Sequence, residues 1–153
     1  MTEPLRTVYV LNGPNLDLLG RRDSDIYGLA SLADVERLCA EEAAALRLEL
    51  VFRQSNHEGV LIEWVHEAFE AGAAIVGNFA AYTHTSIAIM DALAVMDTPV
   101  VEVHISDIHA REEFRRHSYV SLVADDAVIG KGVDGYRLAL RRVAELWGPG
   151  QEA

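Results

Sequence analysis

Apolar runs alternate with helix-period segments along almost the whole chain, and few architectures accept that pattern. Residues 7–12 (TVYVLN), 48–54 (LELVFRQ), 73–77 (AAIVG), 99–104 (PVVEVH) and 127–130 (AVIG) read as strands. Residues 32–46, 58–71, about 82–96 and 136–147 place apolar side chains at helical spacing. Ser31 is the expected N-cap of the first helix and Asn56 a cap of the second, which Gly72 ends. Strands separated by helices predict a parallel sheet covered on both faces and joined by right-handed crossovers. For five strands this means a flavodoxin-like, doubly wound α/β fold with strand order 2-1-3-4-5. With 153 residues the chain suits one domain, 1–153, and the tail at about 149–153, beyond the last helix, is expected to fray.

In such a sheet the ligand crevice lies outside the C-terminal ends of strands 1 and 3, where the strand order reverses. Three polar stretches leave the sheet on that rim. Strand 1 runs into Gly13-Pro14-Asn15 and then a segment, 16–28, with no helical or strand period that carries Arg21, Arg22 and Tyr27. It is long for a βα connection and suits a lid. Strand 3 is followed by Asn78. Strand 4 empties into VHISDIHAREEFRRHSY (103–119), crowded with His, Ser, Asp and Arg. Glu102 and His104 are two apart on that strand and face the same way. A carboxylate beside an imidazole can orient the ring and stabilise its protonated form. His84 and Asp91, seven apart in the expected third helix, share a helical face. Residues 119–123 are ambiguous.

The totals narrow the chemistry. A formal net charge of −11 argues against nucleic acid or an anionic membrane as partner. Any anionic ligand must be held by local Arg side chains and backbone N–H groups. Twelve of the thirteen basic residues are Arg; the one Lys, Lys131, gives Schiff-base chemistry little support. Cys39 is the only cysteine, lies in a helical pattern and fits a reducing cytoplasm. The N-terminal apolar run is too short for a signal peptide, and no apolar stretch reaches membrane-spanning length. There is no P-loop, nucleophile elbow, HExxH or CxxC, and the three glycines 130, 132 and 135 lack the setting of a Rossmann fingerprint. Six histidines and several carboxylates leave a metal-dependent hydrolase as an alternative.

What remains is acid–base chemistry by Tyr, His, Asn and Arg. A phenol titrates near pH ~10 and is a poor base unless nearby guanidinium groups favour its phenolate. Tyr27, on a loop with Arg21 and Arg22, is a candidate base, and His104, partnered by Glu102, a candidate acid. Such a pair suits proton abstraction next to a carbonyl followed by loss of a leaving group. The residues alone do not name a substrate.

Four blocks, LNGPNLDLLGRRDSDIYG (11–28), RQSNHEG (53–59), NFAAYTHTSIAIMDAL (78–93) and VEVHISDIHAREEFRRHSY (101–119), with GKGVDGYRLAL (130–140), resemble type II 3-dehydroquinate dehydratases in collinear order. The resemblance implies the flavodoxin-like fold and a lyase that converts 3-dehydroquinate to 3-dehydroshikimate and water by anti elimination through an enolate. It implies service in aromatic biosynthesis or quinate breakdown. Tyr27 would take the C2 proton, with Arg22 stabilising charge from the lid. Asn15 would hold a water on the enolate, and His104, oriented by Glu102, would protonate the departing C1 hydroxyl. Asn78 and the backbone amides of Ile105 and Ser106 would bind the carboxylate. His84, Asp91 and Arg115 would bind hydroxyls, and Arg111 would support the lid. The resemblance further implies no metal, no cofactor and a homododecamer of trimers in which Asp91 reaches a neighbouring subunit's site.

Three departures from the family pattern stand out. Asn78-Phe79-Ala80 stands where Asn-Pro-Gly or Asn-Ala-Gly is usual, which removes a permissive backbone position and adds bulk beside the substrate. Asp107 replaces Asn and is expected to add negative charge near the substrate and His104. Leu122 replaces a usual Pro. The alternative reading is a non-catalytic or substrate-shifted flavodoxin-like binding paralogue, against which the joint presence of Tyr27, Arg22 and His104 argues.

Overall fold

The computed structural model describes residues 4–149. Five strands, β1 (Arg6–Asn12), β2 (Leu48–Gln54), β3 (Ala74–Asn78), β4 (Val100–His104) and β5 (Asp126–Ile129), pair in the order β2-β1-β3-β4-β5. Every neighbouring pair is parallel. Between them lie the single-turn α1 (Ser24–Tyr27) and the longer helices α2 (Leu32–Ala45), α3 (Glu58–Ala71) and α4 (Ile87–Ala94), with α5 (Asp134–Trp147) following β5. This is the expected doubly wound fold. Of the tail expected to fray, all but Pro149 lies outside the described residues.

Side chains alternate across the sheet and divide the core in two. Val8, Val10, Val76, Val101 and Val103 pack with Val35, Cys39 and Ala43 of α2 and with Tyr136, Ala139, Leu140 and Val143 of α5. Tyr9, Leu11, Ile75 and Val100 pack with Leu61, Val65 and Ala68 of α3 and with Ile89 and Leu93 of α4. Each fully buried aliphatic side chain of this kind contributes about 1.5–3 kcal/mol. Burial pushes the Cys39 thiol up to about 12, so it stays protonated and acts as a small hydrophobe.

The helix starts agree with the sequence in one case and correct it in two. Ser31 Oγ accepts from Asp34 N at 3.2 Å while the Asp34 carboxylate accepts from Ser31 N at 3.0 Å, a reciprocal cap on α2. Gly72, at φ 64°, closes α3 as expected. At the start of α3, however, His57 is the N-cap and no side chain caps it. Asn56 instead turns its Oδ1 to the Asn15 N–H (2.9 Å) and to Gln54 Nε2 (3.1 Å), tying the end of β2 to the loop after β1. The helix expected from Tyr82 is divided. A 3-10 turn spans Ala80–His84, and α4 then starts afresh with Ser86 Oγ accepting from Ile89 N at 2.9 Å. His84 and Asp91 therefore lie in different elements and share no helical face. Residues 16–28 also hold more regular structure than their sequence suggests, a 3-10 turn at Leu16–Leu18 and then α1. The ambiguous stretch 119–123 contains a 3-10 turn, Val120–Leu122.

The turn after β3 contains a local conflict. Ala80 has φ 52°, a left-handed conformation that costs a residue with a Cβ roughly 1–2 kcal/mol. Phe79 does not add bulk to the crevice as expected. Its side chain is 1% exposed and belongs to the core under α3 and α4. Ala80→Gly is expected to raise the unfolding free energy by about 1 kcal/mol, read by denaturant titration. An unchanged or lower value would mean that the left-handed backbone carries no strain there.

Candidate active site

The strand order reverses between β1 and β3, and a pocket opens outside their C-terminal ends. Three segments build it. Pro14, Asn15, Leu16, Arg22 and Tyr27 follow β1; Asn78, Ala80, Ala81 and His84 end or follow β3; His104, Ile105, Ser106, Ile108, Arg111 and Arg115 end or follow β4. Of the residues given a catalytic or substrate-binding role from sequence, only Glu102 and Asp91 are missing from this wall. Glu102 lies beneath it, fully buried. Asp91 is exposed on α4, outside the pocket of its own chain.

Charge inside the pocket opposes the charge of the whole chain. Arg22, Arg111 and Arg115 line it and no carboxylate does. Tyr27 Oη receives Arg111 Nη1 at 2.9 Å and Arg22 Nη2 at 3.2 Å. Both guanidinium groups also lie over the phenol ring, 5.5 Å and 4.3 Å from its centroid. One arginine comes from the β1 loop and the other from beyond β4, so the phenol oxygen is held from both sides of the crevice. Arg21, the other arginine of the loop, is exposed and outside the pocket. Arg115 Nε pairs with Glu112 at 2.7 Å.

His104 is 4% exposed, and its Nε2 lies 2.5 Å from Glu102 Oε2. Glu102 also accepts from Ser118 Oγ (2.5 Å) and Thr83 Oγ1 (3.1 Å) on Oε2 and from Ser121 Oγ on Oε1. Burial by itself would push this carboxyl up. The hydrogen bond and charge of His104, with the two serine hydroxyls, outweigh burial and hold it at about 2. An ionised carboxylate only accepts, so His104 Nε2 carries a hydrogen, and Nδ1 is the ring nitrogen free for other chemistry. Burial lowers the His84 pKa, so the ring is neutral at pH 7. Its Nδ1 donates to the His117 carbonyl at 2.7 Å, which leaves Nε2 as an acceptor.

The match to known proteins is extensive. The family model described as Dehydroquinase class II matches residues 6–144. The chain belongs to that family. It is 57% identical over 140 residues to a Cereibacter sphaeroides protein named 3-dehydroquinate dehydratase, covering 92% of this chain and 95% of that one. It is 61% identical to a Streptomyces avermitilis protein of the same name, covering 91% and 88%. The crystal structure of type II dehydroquinase from Propionibacterium acnes superposes with a TM-score of 0.89 at 42% identity, covering 94% of this chain and 99% of that one.

Asp107 is tied into a turn outside the pocket wall. Its carboxylate accepts from His109 N at 3.0 Å, capping the 3-10 turn Ile108–Ala110, and it is exposed and absent from the pocket wall. Leu122 ends the turn Val120–Leu122 and is exposed, and nothing in the structure explains its replacement of Pro. Sequence reasoning missed Thr83, Ser118 and Ser121, which hold Glu102. A charged residue inside an apolar strand signals that donors must exist, but not where in the chain they lie. Among the described residues, no group of three or more His, Cys, Asp or Glu gathers as metal ligands would.

Because Glu102 is held below its ordinary value of 4.5, its ionised form contributes stability that is present above pH 4.5 and lost as pH falls toward about 2. Glu102→Gln puts an amide donor among donors. This variant is expected to be less stable than wild type near neutral pH, with the gap narrowing as pH falls through that window. Denaturant titrations at a series of pH values measure the gap, and a gap independent of pH would refute the electrostatic account.

Proposed function

We propose that this pocket dehydrates 3-dehydroquinate to 3-dehydroshikimate and water, without a cofactor, by anti elimination through an enolate. The observation that carries the reading is a tyrosine oxygen receiving two guanidinium groups, in one pocket with a histidine backed by a buried carboxylate. The Tyr27 phenolate takes the C2 proton, next to the C3 carbonyl, and Arg22 and Arg111 stabilise negative charge on its oxygen. The electron pair passes to the carbonyl oxygen as an enolate, which a water held by Asn15 stabilises. The enolate then re-forms the carbonyl as the C1–O bond breaks. Doubly protonated His104 gives its Nδ1 proton to the departing hydroxyl, so that water leaves and the ring keeps its Nε2 hydrogen on Glu102. No metal is needed for this proton balance.

Asn78 and the backbone N–H groups of Ile105 and Ser106 bind the substrate carboxylate. His84, with an acceptor nitrogen free, takes a substrate hydroxyl as donor, and Arg115 binds another. Arg22, Arg111 and Arg115 give an acidic chain a local field that suits an anion. Residues 16–28 act as the lid, and 1–153 form one catalytic domain. The assembly is a homododecamer of trimers in which Asp91 enters a neighbour's pocket, a reading supported by its exposure outside its own. The enzyme works in the cytoplasm with no nucleic acid or membrane partner; among the described residues, no helix is long and apolar enough to cross a membrane.

Purified protein mixed with 3-dehydroquinate and a chelator is expected to produce rising ultraviolet absorbance from the conjugated enone. Tyr27→Phe is expected to lower kcat by at least about 100-fold, the range for loss of a positioned general base. No absorbance change from folded wild-type protein would sink the assignment. Asp107→Asn, which touches only the turn cap, is expected to change kcat/KM by less than about twofold; a larger change would restore a direct electrostatic role for Asp107.

A further inference from the structure

Beneath Asn78 lies a buried polar chain that the reaction above does not use. β1 and β3 are in register so that Asn12 stands beside Asn78. Both lie on the sheet face covered by α5, two residues beyond Val10 and Val76. Tyr136, on the first turn of α5, is fully buried and brings its hydroxyl between them. Tyr136 Oη donates to Asn12 Oδ1 at 2.7 Å and accepts from Asn78 Nδ2 at 2.9 Å. Asn12 Nδ2 in turn donates to the Arg53 carbonyl at 3.0 Å.

The polarity of this chain has one solution. A backbone carbonyl only accepts, so the Asn12 amide nitrogen must face Arg53 and its oxygen must face Tyr136. The hydroxyl has one hydrogen and gives it to Asn12, so toward Asn78 it can only accept. Asn78 must then present Nδ2 to it. The Ala80 N–H, donating to Asn78 Oδ1 at 3.2 Å, demands the same orientation from the other end. Burial raises the Tyr136 pKa well above the usual phenol range, which keeps the donating hydrogen in place.

Resting on the dehydratase reading, we infer that Tyr136 is a positioning residue, whose hydroxyl fixes the Asn78 amide so that one uncommitted Nδ2 hydrogen remains for the substrate carboxylate. Without the hydroxyl the Asn78 amide is held only through its oxygen by the Ala80 N–H, and the contact with substrate is weakened equally in ground and transition states. That signature is a higher KM at unchanged kcat. Tyr136→Phe is expected to raise KM for 3-dehydroquinate about tenfold, the size of one hydrogen bond, with kcat altered by less than about twofold. In an Asn78→Ala background the same change is expected to leave KM where that background sets it. An unchanged KM in Tyr136→Phe overturns the inference, and so does a KM effect that persists in the Asn78→Ala background. A fall in kcat alone marks a merely structural role and also overturns it. If Tyr136→Phe does not fold, Asn12→Ala frees the hydroxyl to turn and is expected to raise KM likewise; an unchanged KM there is equally fatal. Failure of the dehydratase reading itself looks different, because wild-type protein would then not turn over the substrate at all.

Discussion

A carboxylate with no exposed surface in the fourth strand of a parallel sheet is the constraint from which the site follows. An unpaired charge there would be far too costly to keep. Glu102 must draw donors from segments far apart in the chain, which the Tyr119 N–H to Thr83 carbonyl and His84 to His117 carbonyl hydrogen bonds also tie together. Thr83 comes from the 3-10 turn Ala80–His84, Ser118 from the end of the long loop after β4, and Ser121 from the turn Val120–Leu122. Docking these segments on one side chain closes the α4 side of the crevice. Between this docked turn and α4 the chain caps afresh at Ser86. With three hydroxyls already on the carboxylate, His104 completes its shell and is oriented by it.

The two halves of the proposed acid–base set are stabilised by opposite means. His104 is buried and backed by a fixed negative charge. Tyr27 is half-buried on a loop and faced by two positive charges on long side chains. The loop after β1 is restrained by Leu16 and Leu19, buried in the core, and at its root, where Asn56 accepts the Asn15 N–H and Gln54 Nε2 donates to the Gly13 carbonyl at 3.1 Å. Its outer part meets the rest of the site through Arg111, which touches Tyr27 Oη and reaches toward Ser106 Oγ at 3.5 Å. An arginine pair therefore holds the Tyr27 oxygen and bridges loop to scaffold.

The fold was legible because periodicity and the crossover rules act on the whole chain at once. The five strands, the Ser31 cap and the Gly72 stop follow from local pattern, and the 2-1-3-4-5 order from the topology rules for alternating strands and helices. The crevice was legible because topology alone gathers Asn15, Asn78 and His104 on one rim. Hidden from sequence were the side chains whose partners are chosen in three dimensions. Asn56 looks like a helix cap and is taken by the Asn15 N–H. Tyr136 looks like an apolar position on α5 and is the keystone of a hydrogen-bonded chain. Asp107 looks like a charge on the site and is spent on a turn. In each case the residue type was informative, but a competitor for its hydrogen bond came from elsewhere in the chain.

The Asn78-Phe79-Ala80 turn shows how such a competition is decided by magnitude. Two glycines clear the space for Phe79. A Cβ on Gly77 would lie 2.3 Å from the Phe79 ring, and one on Gly13 would lie 2.4 Å from the Phe79 carbonyl oxygen. Sending the ring into this space buries it completely against the α3 and α4 side of the core. Burial of a phenylalanine side chain is worth about 1.5–3 kcal/mol. The left-handed backbone this turn demands of Ala80 costs roughly 1–2 kcal/mol. The first term matches or exceeds the second, so the turn can keep a strained alanine while leaving the pocket wall unobstructed. The departure from the family pattern thus alters the core and the backbone, while Asn78 keeps the hydrogen bonds that set its amide.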